Sequence, residues 1–330
     1  MSKFRIAPYW WPIIGLATPL LLPILTMKNK KYKSNKEKAE KINQKRIKQS
    51  DKLKLPEVEF LELTTLVEWK RKKDFMGDAG VSYLFKSDRG QFLFDIGFGP
   101  ETETFEFNAD KLDFNLKKVE ALAISHLHGD HMGGMKAPRK NNVTIPSHLI
   151  PKRKLDCYLP DNAKADGFKP IVVNSPQYLK AGITTTGPLA RSLFLLGYTE
   201  EQALIVNIKD KGLAIFTGCG HPTIKVIIQM VKKISDIPIY AIGGGLHFPL
   251  TAGRGSKFGF ELQQVFGTGK PPWEKINKDD IEETINIINK IGPQKVFLSG
   301  HDSCDKALSI LKDQLKGDTK ILKAGETHKI

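Results

Sequence analysis

The chain has 330 residues, 40% of them hydrophobic and 9% aromatic, enough for one large domain or two small ones with a substantial core. Three cysteines, Cys157, Cys219 and Cys304, cannot form a framework of paired bridges, which excludes a disulfide-stapled scaffold and points to a reducing compartment or to no reliance on disulfides. The formal charge of +15 is concentrated early: twelve Lys or Arg against three acids between Met27 and Leu55 give +9, Lys3 and Arg5 add two, and residues 56–330 keep +4, too little to argue for a nucleic-acid binder.

Residues 7–27 carry no charge and are long enough to cross the roughly 30 Å of bilayer hydrocarbon as a helix. Tyr9, Trp10 and Trp11 cluster at one end, where interfacial aromatics sit. Pro12, Pro19 and Pro23 weaken a straight helix, although membrane helices tolerate proline better than soluble ones. A signal peptide would use Lys3 and Arg5 as its basic start, but no small-x-small cleavage site follows. A buried helix of a soluble domain is the third reading. The expectation is a transmembrane anchor over residues 1–27, with the basic block behind it placing the rest of the chain in the cytoplasm. Residues 28–57 are expected to be a basic linker, either a solvated helix or a disordered tether. Its lysines over 28–54 would be drawn to anionic lipid heads, an effect of about 1 kcal/mol per residue close to the surface. Deleting residues 1–55 should then leave residues 58–330 working as a unit.

Further along, Val119–Ser125 is an apolar run that reads as a buried strand. Residues 204–209 and 213–217 flank Asp210-Lys211-Gly212 as a hairpin. Helical spacing marks Thr223–Lys233, while 237–242 and 295–299 read as buried strands. Helices are expected over Asp279–Lys290 and Asp305–Gln314. Two strand-rich halves, each with helices, suit an α/β four-layer αββα sandwich with two sheets face to face and helices outside.

Six of the eight histidines stand just beyond strands. His126-Leu127-His128-Gly129-Asp130-His131 follows the first of them. His126 and His128, two apart on extended chain, fall on one side. Gly129 lets the backbone turn and present Asp130 and His131 from another direction. Two ligand pairs aimed at neighbouring points suit a dinuclear centre, and imidazole and carboxylate are ligands zinc accepts, with iron or manganese as alternatives. Cys219 and His221, in Thr217-Gly218-Cys219-Gly220-His221, form a second candidate ligand loop. Ile242-Gly243-Gly244-Gly245-Leu246-His247 and Ser299-Gly300-His301-Asp302 supply two more histidines at strand ends.

This pattern resembles the metallo-β-lactamase superfamily, whose signature is His-x-His-x-Asp-His after a strand, and the resemblance covers roughly residues 58–330. It implies the metallo-β-lactamase fold for that region. Residues 81–85 and 91–97, turned at Asp88-Arg89-Gly90, look like the family's opening hairpin. Asp95 matches an aspartate that supports the metal loop from behind its ligands; as a bare sequence feature it reads equally as a helix cap or turn residue. Cys219 stands where many members have a metal-bridging Asp and some have Cys. His301 corresponds to the last metal ligand, supplied from a strand near the C-terminus. The further motifs Gly182–Gly187, Glu201-Gln202-Ala203-Leu204, Thr217–His221, Gly243–His247 and Gly300-His301 look like the dihydropterin-ribofuranosylaminobenzene-phosphate synthase-like subgroup. The chain departs from that subgroup at Leu246, where Phe is favoured, and at Asp302-Ser303-Cys304, where Cys-Thr-Gly is usual.

The simplest assignment gives one metal His126, His128 and His221, and the other Asp130, His131 and His301, with Cys219 near or between them. His247 is either a ligand or a catalytic group that bonds substrate or leaving group. Two divalent metal ions, zinc first, would share and ionise a water, and Asp130 would orient the hydroxide as well as ligate. The expected activity is hydrolysis of a small ester, phosphoester or lactone, with a phosphate-containing substrate favoured. Lys136, Arg139, Lys140, Lys152, Arg153 and Lys154 either meet that phosphate or form a solvated face. The rival readings are a di-iron redox or non-catalytic metal-binding module of the same fold, which needs an external partner, and a metal-dependent nuclease.

Overall fold

The computed structural model describes residues 6–251, 256–265 and 267–330. Its centre is two stacked sheets. The first has the spatial order β17-β2-β3-β4-β5-β6-β7, built from Thr327–Lys329 (β17), Glu62–Val67 (β2), Ser82–Ser87 (β3), Gly90–Phe94 (β4), Val119–Ala123 (β5), Asp156–Leu159 (β6) and Lys169–Val172 (β7). The second has the order β8-β9-β12-β13-β14-β15-β16, from Gln177–Tyr178 (β8), Ile183–Thr185 (β9), Leu204–Ile208 (β12), Gly212–Thr217 (β13), Ile239–Gly244 (β14), Lys295–Leu298 (β15) and Asp318–Ile321 (β16). A two-residue strand, Glu57–Val58 (β1), pairs in parallel with the end of β12. Leu189–Leu193 (β10) and Gly197–Glu201 (β11) form a separate antiparallel hairpin.

Alternation along the strands builds the layers, because successive side chains point to opposite faces. Phe92 and Phe94 on β4, Ala121 and Ala123 on β5, and Ala214 and Phe216 on β13 fill the space between the sheets. There the Phe85 and Phe216 rings meet at 4.7 Å between centroids. Their neighbours Leu93 and Leu122 face outward, against Phe105 of the helix Thr104–Lys111 (α2). Leu213 and Ile215 face the other way, into a core shared with Ile224–Ile234 (α3), Lys278–Ile291 (α4) and Asp305–Gln314 (α5). The α4 helix starts on a capping box between Asn277 and Asp280 and stops at Gly292, whose φ of 69° suits only glycine well. The expected four layers are present, and the expected α3, α4 and α5 agree with the observed helices to within a residue at each end.

The N-terminal part differs from expectation. A single 39-residue helix, Trp11–Gln49 (α1), runs through Pro19 and Pro23 and across the expected boundary between residues 27 and 28. Its first part is long and apolar enough to cross a membrane by length and composition, and none of that stretch is buried. Its second part is not a free tether: Tyr32, Ala39 and Asn43 are buried against the domain. Asn43 exchanges two hydrogen bonds with Ala190 on β10, donating at 2.8 Å and accepting at 2.7 Å. Arg46 pairs with Glu200 on β11 at 2.8 Å, and Leu55 enters the α3 core. Positions 32, 39, 43 and 47 lie on one helical stripe among the lysines, a spacing that the overall polarity of the segment conceals. Residues of the expected linker are thus packed on the domain by this stripe.

Candidate metal centre

In the first sheet β4, β5 and β6 are parallel, and in the second β13, β14 and β15 are. Ligands in α/β sheets gather beyond the carboxyl ends of strands. The loops after β5 (residues 124–131), β13 (218–222), β14 (245–247) and β15 (299–302) leave those ends, and stacking the two sheets brings them to one edge.

All the residues singled out from the sequence as metal-ligating or catalytic meet there. Ligand atoms of His126, His128 and His221 lie within 4.8 Å of one another, as do those of Asp130, His131, Cys219 and His301, and those of Cys219, His221 and His247. Cys219 Sγ stands 3.1 Å from His131 Nε2 and 3.2 Å from His301 Nε2. His148 and His328 lie elsewhere, near Glu106 and Glu326. The six basic residues of the insertion are exposed, and Arg153 caps the far end of β5 by donating to Val119 O at 2.9 Å. Of their two readings, the solvated face is the one the structure supports.

Buried hydrogen bonds aim the rings. Asp95 tolerates a φ of 60° just after β4, as aspartate does better than most residues. Its Oδ1 accepts from Ser125 N at 2.6 Å, and its Oδ2 from Ser125 Oγ and His131 Nδ1, both at 2.7 Å. That contact leaves His131 Nε2 facing Cys219. Asp95 is thus a supporting residue, as the resemblance implied. Glu68 plays the matching part on the other side. Its carboxylate accepts from Trp69 N, Gly300 N and Tyr83 OH, and Ser299 Oγ links it to His301 Nδ1 at 2.6 Å. Glu201 holds the second loop: Oε1 accepts from Gly218 N at 3.1 Å and Gly220 N at 2.8 Å, and Oε2 from His221 N at 2.8 Å. Asp302 accepts from His247 N at 2.9 Å, fixing a histidine whose own φ is 58°.

The electrostatics follow from this burial. Burial, reinforced by neighbouring imidazoles, holds His126 and His221 well below the ordinary histidine value. Burial likewise brings His128 and His247 down to about 4, against the pull of Asp130. These rings are therefore neutral and present lone pairs. Burial opposes charge on Asp130, but His131, His128 and His301 outweigh it and keep the carboxylate well below its usual range. Burial raises Glu68 and Glu201 to about 7 each.

His126 Nε2, His221 Nε2 and both ring nitrogens of His247 are buried with no hydrogen-bond partner among the described residues. A buried unpaired polar atom costs about 1–3 kcal/mol, so several aimed at one point fit a cation rather than a dry core. Burial also holds the Cys219 thiol well above its ordinary value, and a bound cation is the usual means of holding such a sulfur as thiolate.

Several of these partners escaped the sequence reading. Glu68 belongs to no motif, and Tyr83 was read only as part of the opening hairpin. Ser125 and Ser299, each just ahead of a ligand-type histidine, are a repeated signal that could have found them. Asp302 was visible only as a departure from the subgroup pattern.

Residues 76–191 match the family model of the metallo-beta-lactamase superfamily. The crystal structure of Tm1679, a metal-dependent hydrolase of the beta-lactamase superfamily, is similar with a TM-score of 0.58 and 20% identity, over 82% of this chain and 99% of that one. The metallo-beta-lactamase fold protein YhfI from Bacillus subtilis gives a TM-score of 0.50 at 15% identity, over 82% and 100% of the two chains. The protein therefore has the metallo-β-lactamase fold, and its resemblance to that superfamily is shown. More narrowly, it is 25% identical over 295 residues to the 7,8-dihydropterin-6-methyl-4-(beta-D-ribofuranosyl)-aminobenzene-5'-phosphate synthase of Methanocaldococcus jannaschii, across 77% of this chain and 91% of the relative. The subgroup resemblance read from the motifs agrees with that relative.

Proposed function

We propose that the protein is a hydrolase of a small ester, phosphoester or lactone that works with two divalent cations, zinc first and iron or manganese as alternatives. The observation that carries this is the convergence of unpartnered, neutral imidazole nitrogens beside Asp130 and Cys219 at one strand-end edge. His126, His128 and His221 would hold one cation, and Asp130, His131, His301 and Cys219 the other. Bound there, the cations would supply Lewis acidity to a carbonyl or phosphoryl oxygen and lower the pKa of a water toward neutrality. Asp130, whose side chain stays partly exposed and ionised, would orient the attacking water by accepting its hydrogen bond as well as ligate. His247, whose ring nitrogens have no hydrogen-bond partner among the described residues, would bond the substrate or its leaving oxygen as a neutral imidazole. A phosphate-bearing substrate is favoured by the relative's name, which specifies a phosphate product.

The test joins elemental analysis to a panel of bis-nitrophenyl phosphate, nitrophenyl phosphorylcholine, an acyl lactone and a cephalosporin. His128→Ala and Asp130→Ala should each remove metal and activity together. Turnover that survives both changes would refute the mechanism.

We propose further that the exposed apolar start of α1 holds the protein on a membrane. Leu16, Leu20 and Met27 are largely solvent-facing there, with the exposed Phe258 close by, where Trp10 Nε1 donates to Phe258 O at 2.8 Å. The lysine-rich stretch behind it favours a cytoplasmic catalytic domain. An alkaline-phosphatase-type reporter fused after residue 60 should then be inactive; an active one would place the domain outside.

A further inference from the structure

A cavity of about 250 Å³ adjoins the centre, lined by His221 and His247 on one side and by Arg191, Gly269 and Lys270 on the other. Arg191 sits mid-strand on β10, directly opposite Thr199 on β11. Thr199 Oγ1 in turn lies 3.4 Å from His128 Nε2, so the guanidinium is one cross-strand pair away from the cluster.

Three other arginines of this fold use their donors. Arg46 bonds Pro188 O and Glu200, Arg89 bonds Glu57 O, and Arg153 bonds Val119 O. The Arg191 guanidinium makes no hydrogen bond and no ion pair among the described residues. Glu40 and Asp280 act on it only at longer range, and Asp280 is already paired with Lys270 at 2.6 Å. The backbone of Gly269 lies against the guanidinium so closely that a Cβ there would come within 2.9 Å of Nε and Nη2. That glycine is pinned from outside, where Tyr32 OH of α1 donates to Gly269 O at 2.7 Å. A fork of five N–H donors, held largely out of water without an acceptor, is costly unless an anion completes it.

We propose that Arg191 is a specificity-determining residue that receives an oxyanion of the substrate, a phosphate or a carboxylate, in the cavity beside His221 and His247. This deepens the hydrolase reading and rests on it. The planar guanidinium matches either anion through two parallel bonds. Desolvation holds its pKa below the ordinary arginine value, as expected of a cation whose counter-charge arrives with the ligand.

Two measurements test this independently. In metal-free protein, inorganic phosphate at constant ionic strength should raise the Tm of the wild type and fail to do so in Arg191→Met, with Arg191→Lys in between. Equal stabilisation of wild type and both variants would overturn the proposal. Short-chain phosphatidate in place of phosphate separates a lipid headgroup from a water-soluble source, and a response to either that Arg191→Met abolishes supports the subsite. In metal-loaded protein, Arg191→Met should raise KM for anionic substrates roughly tenfold to a hundredfold more than for a neutral ester. Parallel losses on both substrate types would overturn it. Should no substrate be turned over by the wild type, the hydrolase reading fails while the phosphate shift still decides the subsite. If Arg191→Met does not fold, the lysine variant carries both measurements.

Discussion

Glu201→Gln would probe how the second ligand loop is held. The two carboxylate oxygens accept three backbone N–H groups, from Gly218, Gly220 and His221, at 2.8–3.1 Å. A glutamine offers one acceptor oxygen, so its amide faces an N–H whichever way it is turned. At least one buried donor loses its partner, at about 1–3 kcal/mol. Cys219 and His221 ride on this loop, so cation affinity should fall roughly tenfold to a hundredfold as well. The pH dependence supplies a second readout. Burial raises the Glu201 carboxyl to about 7, above its value in the unfolded chain, with the N–H bonds of Gly220 and His221 opposing. Folding therefore favours the neutral form. Its stabilising contribution is complete below the unfolded pKa and is lost as pH rises through about 7, on the order of 3 kcal/mol in all. Glutamine cannot titrate. By urea denaturation of chelator-treated protein, the wild-type advantage over Glu201→Gln should be largest near pH 5 and should narrow by about pH 8. An advantage that grows with pH would refute the reasoning, because it would mean that the three N–H groups outweigh burial.

Two further outcomes are expected. His247→Ala should keep two cations per chain while turnover falls by roughly 10²–10³, the usual cost of losing a hydrogen-bond donor to developing charge; loss of a cation in metal analysis would make His247 a ligand instead. Removing residues 1–27 should move the protein from vesicles to the soluble fraction with its melting temperature kept, whereas removing 1–55 should lower that temperature. The second deletion takes away the buried Tyr32 and Leu55, which contribute roughly 1.5–3 kcal/mol each; equal melting of the two truncations would show that α1 is not part of the domain.

What the sequence determined by itself was local. The apolar runs along residues 119–123 and 213–217, the turn at Asp88–Gly90 and the apolar spacing of Ile224–Ile234 each express a preference written within a few residues. The histidine-bearing strand ends were legible for the same reason, since a ligand loop keeps its members close in sequence. Only the stacked sheets decided which of those loops share a centre, because Cys219 meets His131 across 88 positions and His301 across 82. The supports were less legible still. Glu68 reaches Ser299 over 231 residues, and no spacing rule links an isolated acid to a serine that far away. The second half of α1 looked like a solvated linker because lysines surround its contact stripe. Its helix is a local property, but its docking depends on a surface that exists only once β10 and β11 have paired.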